Sequence, residues 1–136
     1  MDHMKLTGED LLSIIKPNYQ VTKNFNYSDF ICPCCDTLKL VPAFYNHVTL
    51  LEILWNRVGF PFVVISGYRC KLRNADVGGA PRSWHLLFAT DVRPADKDYS
   101  KIDILWEAAE GLFTGIGIYE EHIHVDLRPE TLIWRG

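Results

Sequence analysis

The segment His122-Ile123-His124-Val125-Asp126-Leu127-Arg128 alternates apolar and polar residues without a break. A strand has a side-chain period of two. Ile123, Val125 and Leu127 therefore share one face, and His122, His124, Asp126 and Arg128 the other. Such a strand belongs in a sheet with one face on a core and the other open. Two histidines one residue apart on the open face point to chemistry. A plain solvated sheet face is the alternative reading.

The rest of the chain supplies what the core face must pack against. Phe44, Val48, Leu51, Trp55 and Val58 recur at four, three, four and three residues, the stripe of a buried helix face that starts at Pro42 and is ended by Gly59 and Pro61. Phe62-Val63-Val64-Ile65 reads as a buried strand, Phe88 to Val92 as a second and Gly115 to Tyr119 as a third. Ser100 with Asp103 makes a capping box for a helix through Ile102, Leu105, Ala109 and Leu112, ending near Gly111. A short helix is expected over Thr7 to Ile15, and residues 17 to 41 read as irregular. The long connection from Ser66 to Ser83 is of a kind more often functional than idle. Helices flanking a small antiparallel sheet give an α+β class. No repeat or linker divides the chain, so residues 1–136 read as one domain.

Composition narrows the function classes. The chain has 136 residues, 48% of them hydrophobic and 23% charged, which is ordinary globular usage. Lys plus Arg is 14 and Asp plus Glu is 17, a net charge of -3. Nucleic-acid binders normally carry a basic face, so no nucleic-acid partner is expected. No apolar run is long enough to span a membrane. Leu11-Leu12-Ser13-Ile14-Ile15 is too short and too amphipathic for a signal-peptide core. The oligomeric state is not legible.

Four cysteines occur, Cys32, Cys34, Cys35 and Cys70. Cys32-x-x-Cys35 has the spacing of a thiolate metal knuckle, but a structural zinc needs four ligands and only Cys70 offers a third. Packing of reduced thiols, a second zinc and a disulfide all stay open.

Three groups gather chemistry. His124 lies on the polar strand face. His85 and Asp91 flank the apolar stretch Leu86 to Thr90. Two imidazoles and a carboxylate suffice for a catalytic zinc, which takes three protein ligands and keeps one position open. Ser66-Gly67-Tyr68-Arg69 follows a strand directly, and an arginine there can grip a substrate carboxylate in a bidentate fork. Trp84 adjoins His85 and can line a cleft.

Taken in order, Ser66-Gly67-Tyr68-Arg69-Cys70, Asn74, Val77-Gly78-Gly79-Ala80, Ser83-x-His85, Ala89-x-Asp91, Gly115-x-Gly117-x-Tyr119, His124-Val125-Asp126, Arg128 and Trp134-x-Gly136 resemble the zinc D-alanyl-D-alanine carboxypeptidase family, which includes phage and bacterial L-alanyl-D-glutamate endopeptidases. Phe30-x-Cys32-x-x-Cys35 is similar to the family's N-terminal segment, so the resemblance covers about residues 24–136. It implies a small α+β fold akin to the zinc domain of hedgehog proteins. It implies zinc held by His85, Asp91 and His124, with Glu121 as general base and Arg69 binding substrate or polarising its carbonyl. Ser83 matches the serine of the Ser-x-His motif, and Ser83 and Trp84 are the further substrate-binding candidates. The implied substrate is a peptidoglycan stem peptide containing D-residues, cut by carboxypeptidase or endopeptidase action. The implied setting is a phage- or prophage-encoded product that waits in the cytoplasm until release.

Two departures from the family pattern set expectations. The usual His-x-x-Gly-x-Ala-x-Asp motif is one residue shorter here and lacks its glycine. Strand alternation would turn Asp91 away from His85, unless a looser turn before Phe88 absorbs the change. Alternation also places Glu121 opposite His124 unless it lies in the preceding turn, which makes His122 the competing base. Asp126 is the candidate partner for an imidazole behind the metal. Two other functions stay open. One is a degenerate peptidoglycan-binding module, and the other a protein held by cysteine-bound zinc.

Overall fold

Pro42–Val58 forms one long helix, α1, as its apolar stripe requires. Pro42 is preorganised for the first turn, where its missing N–H costs nothing. Gly59 ends the helix in the left-handed conformation at φ 75°. Phe44, Val48, Leu51 and Leu54 are buried along the inner face, and so is His47.

The computed structural model describes residues 19–32, 38, 40–69, 75, 84–86 and 88–136. The expected helix over Thr7 to Ile15, Ser83, and Cys34, Cys35 and Cys70 lie outside the described residues; Cys32 lies within them and is buried. Within residues 17 to 41, expected to be irregular, a small antiparallel hairpin joins β1 (Gln20–Thr22) to β2 (Phe25–Asn26).

Among the described residues, five strands form one sheet: β3 (Phe62–Ser66), β4 (Ala89–Pro94), β5 (Gly115–Ile118), β6 (Ile123–Asp126) and β7 (Leu132–Arg135). Their spatial order is β3-β4-β6-β5-β7. Three pairings are antiparallel, but β7 runs parallel to β5. The sheet is therefore mixed, where an antiparallel one was expected. β7 escapes sequence reading because Leu132-Ile133-Trp134-Arg135 is too short and too exposed to show a pattern. β3 was expected to be buried on both faces; it is an edge strand, with Val63 36% and Ile65 48% exposed. A continuous apolar run does not tell a buried strand from a half-covered one.

The second helix, α2 (Ile102–Ala109), grows out of a 3-10 turn over Tyr99–Lys101. Asp98, rather than Ser100, caps that turn, accepting from the Ser100 backbone N–H at 3.2 Å. Asp103 instead accepts from Trp106 Nε1 at 3.1 Å, so the expected capping box does not form. Ile102, Leu105 and Ala109 of α2 join the inner face of α1 in one core with Phe62, Val92, Ile116, Ile118, Ile123 and Val125 of the sheet. Each large apolar side chain buried there contributes roughly 1.5–3 kcal/mol. The helices thus cover one face of the sheet, and the alternate residues of β4, β5 and β6 project from the other.

Candidate metal centre

The register of the sheet sets one row of residues across four strands. Asp91 of β4 pairs with His124 of β6, His124 with Gly117 of β5, and Gly117 with Trp134 of β7. Cross-strand partners share a face, so Asp91 and His124 meet directly: His124 Nδ1 lies 3.1 Å from Asp91 Oδ1. His85 comes from outside the sheet, on a 3-10 turn over Trp84–Leu86, and β4 begins only at Ala89. Strand alternation therefore does not govern its direction. The shortened motif is absorbed by the turn, and His85 Nε2 lies 3.2 Å from the same Asp91 Oδ1.

What stands behind each imidazole decides which nitrogen carries the proton. His85 Nδ1 lies 2.7 Å from the carbonyl oxygen of Gly67. A carbonyl only accepts, so Nδ1–H donates and the lone pair of the neutral ring sits on Nε2. His124 Nε2 lies 2.7 Å from Asp126 Oδ2. That carboxylate accepts a hydrogen bond from Nε2–H, which leaves the lone pair of the neutral ring on Nδ1, an arrangement common behind metal-binding histidines. Asp126 is fully buried. Arg128 satisfies its remaining capacity, with Nε at 2.9 Å and its backbone N–H at 3.1 Å from Oδ1, and Nη2 at 2.6 Å from Oδ2.

Three lone-pair donors thus converge: His85 Nε2, His124 Nδ1 and a carboxylate oxygen of Asp91, all within 4.8 Å of one another. Lone pairs facing one another repel unless a cation lies between them. Two nitrogens and an oxygen are the donor types zinc takes, and ligands about 2.1 Å from a tetrahedral ion stand roughly 3.4 Å apart. The observed 3.1 and 3.2 Å fit that spacing.

The acid–base balance follows from the same contacts. Burial alone would raise the Asp91 carboxyl pKa, but the His124 and His85 rings beside it, when protonated, outweigh it and hold the group well below the carboxylate range. Burial likewise opposes ionisation of Asp126, and Arg128 and His124 overcome it, so Asp126 too stays well below that range. Burial would lower the His124 pKa; Asp126 and Asp91 together raise it above its ordinary value.

Around the cluster, Arg69 Nη2 lies 3.8 Å from Asp91 Oδ2, and its Nε donates to Ser66 Oγ at 3.4 Å. The Arg69 backbone N–H donates to His85 O at 2.8 Å, tying that segment to the His85 turn. Gly67 makes this approach feasible. A Cβ there would lie 2.8 Å from the Phe30 backbone, to which the Tyr68 N–H donates at 3.0 Å. Glu121 is exposed in the turn before β6. His122 is half-buried and stacks flat on Tyr119, with centroids 4.6 Å apart and planes 6° apart. Burial lowers the His122 pKa, only partly opposed by the charge of Asp91. Trp84 lines a cavity of about 450 Å³ with Arg128, Pro129, Glu130, Thr131 and Leu132.

Residues 23–126 match the family described as Peptidase M15. The chain belongs to the peptidase M15 family. M15 proteins are zinc metallopeptidases, in keeping with the donor set described above. Among curated proteins, none matches the sequence. The M15 match ends at Asp126, so Arg128 and β7 lie beyond it.

Sequence reading named Gly115, Gly117 and Trp134 as motif residues but gave them no part in the site, whose floor they form. Gly115 and Gly117 lie opposite Asp126 and His124, and a Cβ on Gly117 would come within 2.6 Å of the Trp134 ring. The signal was the period-two Gly-x-Gly beside a period-two His-x-Asp, which leaves room for large side chains lying flat across the strand.

Proposed function

We propose that this chain is a zinc-dependent peptidase that hydrolyses a peptidoglycan stem-peptide bond involving a D-amino acid, by carboxypeptidase or endopeptidase action. The observation that carries the reading is the convergence of the His85, Asp91 and His124 donor atoms, with each imidazole proton held on the far side. When bound by those three residues, zinc supplies Lewis acidity toward a peptide carbonyl and brings the pKa of a coordinated water toward 7.

The chain's own residues then divide the work. Glu121, in the turn that leads into His124, takes the proton of the attacking water and returns it to the leaving amine. His122 is the competing base. Its lowered pKa keeps the imidazole neutral and able to accept a proton at neutral pH. Arg69 is within reach of the Asp91 edge of the cluster and steadies the negative charge that develops on the carbonyl oxygen, or grips a substrate carboxylate. Ser83 and Trp84 are the further substrate contacts, with Trp84 walling the adjacent cavity.

The test is hydrolysis of purified stem peptides by the zinc-loaded chain, with products identified by mass. Release of a terminal D-alanine marks a carboxypeptidase, and internal cleavage an endopeptidase. His124→Ala is expected to lose both bound zinc and hydrolysis. Of Glu121→Gln and His122→Gln, the variant that loses turnover while retaining zinc identifies the base. Wild-type chain that binds the peptides without cutting them would replace this reading with a non-catalytic binding module. Zinc retained in His124→Ala would overturn the assigned ligands.

A further inference from the structure

The His124 ring can rotate about its side-chain bonds, and only one setting aims Nδ1 at Asp91. That setting is held from behind by the hydrogen bond to Asp126 Oδ2 at 2.7 Å. Asp126 needs holding in turn, because a buried carboxylate with one partner is costly and free to re-aim. Arg128 supplies three of the four hydrogen bonds on its two oxygens. A two-pronged guanidinium fixes the plane of a carboxylate as well as its position.

The guanidinium is itself confined. Its carbon lies 4.7 Å from the centre of the Trp134 ring and 5.6 Å from that of Trp84. Trp134 lies across Gly117, donates from Nε1 to Tyr119 Oη at 3.0 Å, and packs against the His124 ring at 5.4 Å. The parallel pairing of β7 with β5 sets Trp134 opposite Gly117. The support of His124 therefore runs through Arg128 and Trp134, both of which lie past the end of the M15 match at Asp126.

We propose that Arg128 and Trp134 are positioning residues. They act through Asp126 and through ring contact to hold His124 in the orientation and tautomer that metal binding needs. The inference rests on the zinc-site reading above, and two readouts separate its failure from the failure of that reading. The first is zinc affinity, by competition with a chelator. The second is the His124 tautomer in metal-free protein, read from imidazole nitrogen–proton couplings by NMR at alkaline pH, where the ring is neutral, which needs no zinc. Arg128→Ala is expected to weaken zinc binding by about 10- to 100-fold and to replace the single Nε2–H tautomer with a mixture. Trp134→Leu is expected to shift both in the same direction by less. Lys101→Ala, which breaks the distant ion pair with Asp96, leaves both unchanged.

A folded Arg128→Ala protein that keeps the wild-type tautomer and binds zinc within about twofold of wild type overturns the proposal. If Arg128→Ala does not fold, Arg128→Lys decides, because it keeps the charge and loses the two-pronged geometry. If wild type binds no zinc at this cluster, the metal reading fails and the tautomer comparison alone decides the positioning role.

Discussion

His47 lies on the core side of α1, 1% exposed, beneath the strand that carries Asp91. Its Nε2 is 2.9 Å from Thr90 Oγ1, its Nδ1 has no hydrogen-bond partner among the described residues, and Phe88 and Phe113 flank the ring at 4.7 and 4.9 Å. Burial pushes its pKa from 6.5 down to about 3; the Asp126 charge opposes that shift, and His124 and His85 reinforce it. Because the folded-state value lies below the unfolded one, the unfolded chain takes up this proton first as pH falls. The contribution is complete above pH 6.5 and is lost between 6.5 and about 3, at about 1.4 kcal/mol per pH unit. Between pH 7 and pH 5 that amounts to about 2 kcal/mol. The perturbation is His47→Leu, which removes the titration. At pH 7 it costs roughly 1–3 kcal/mol by leaving the Thr90 hydroxyl unpaired. Urea unfolding of wild type and variant at both pH values, with a chelator present so that metal plays no part, measures the difference. The wild type is expected to lose about 2 kcal/mol more than the variant on acidification. Equal losses in the two proteins, within about 0.5 kcal/mol, would refute the reasoning.

Two further outcomes follow from packing. Gly117→Ala puts a methyl group 2.6 Å from Trp134 Cζ2; a destabilisation of about 1–3 kcal/mol and a changed tryptophan fluorescence spectrum are expected, and an unaltered spectrum would argue against the ring lying over the glycine. Phe44→Ala, emptying a fully buried position among Tyr27, Phe30 and Phe88, is expected to cost about 3–5 kcal/mol in urea unfolding.

Strong periodicity made part of this molecule readable. The Phe44-to-Val58 stripe and the Ile123–Val125 alternation each describe a surface that has to be buried; the fold fully buries Phe44, Val48 and Leu51 with Ile123 and Val125, and half-buries Trp55 and Val58. Hydrogen bonding along the chain set the rest. The cap at Asp98 depends on which of several nearby polar side chains wins, and sequence spacing favoured Ser100 for an equally sound reason. His47 interrupts no pattern and so gave no warning. In the site, the motifs named His85, Asp91 and His124, but their meeting depends on cross-strand register and on a 3-10 turn that strand periodicity does not describe. The parallel pairing of β7 was illegible because its partner is set by register, not by any pattern of its own.

The 3-10 turn that carries His85 also decides which parts of this chain can change length in evolution. Asp91 and His124 sit inside paired strands, where one inserted or deleted residue would exchange the core and open faces and bury charged groups. His85 stands on a 3-10 turn, ahead of the interval before β4, and is secured by the Gly67 carbonyl and the Arg69 backbone rather than by sheet register. Relatives can therefore gain or lose a residue in that interval and still converge on the same three donor atoms. Searches for distant relatives should tolerate gaps there and forbid them within β4 and β6.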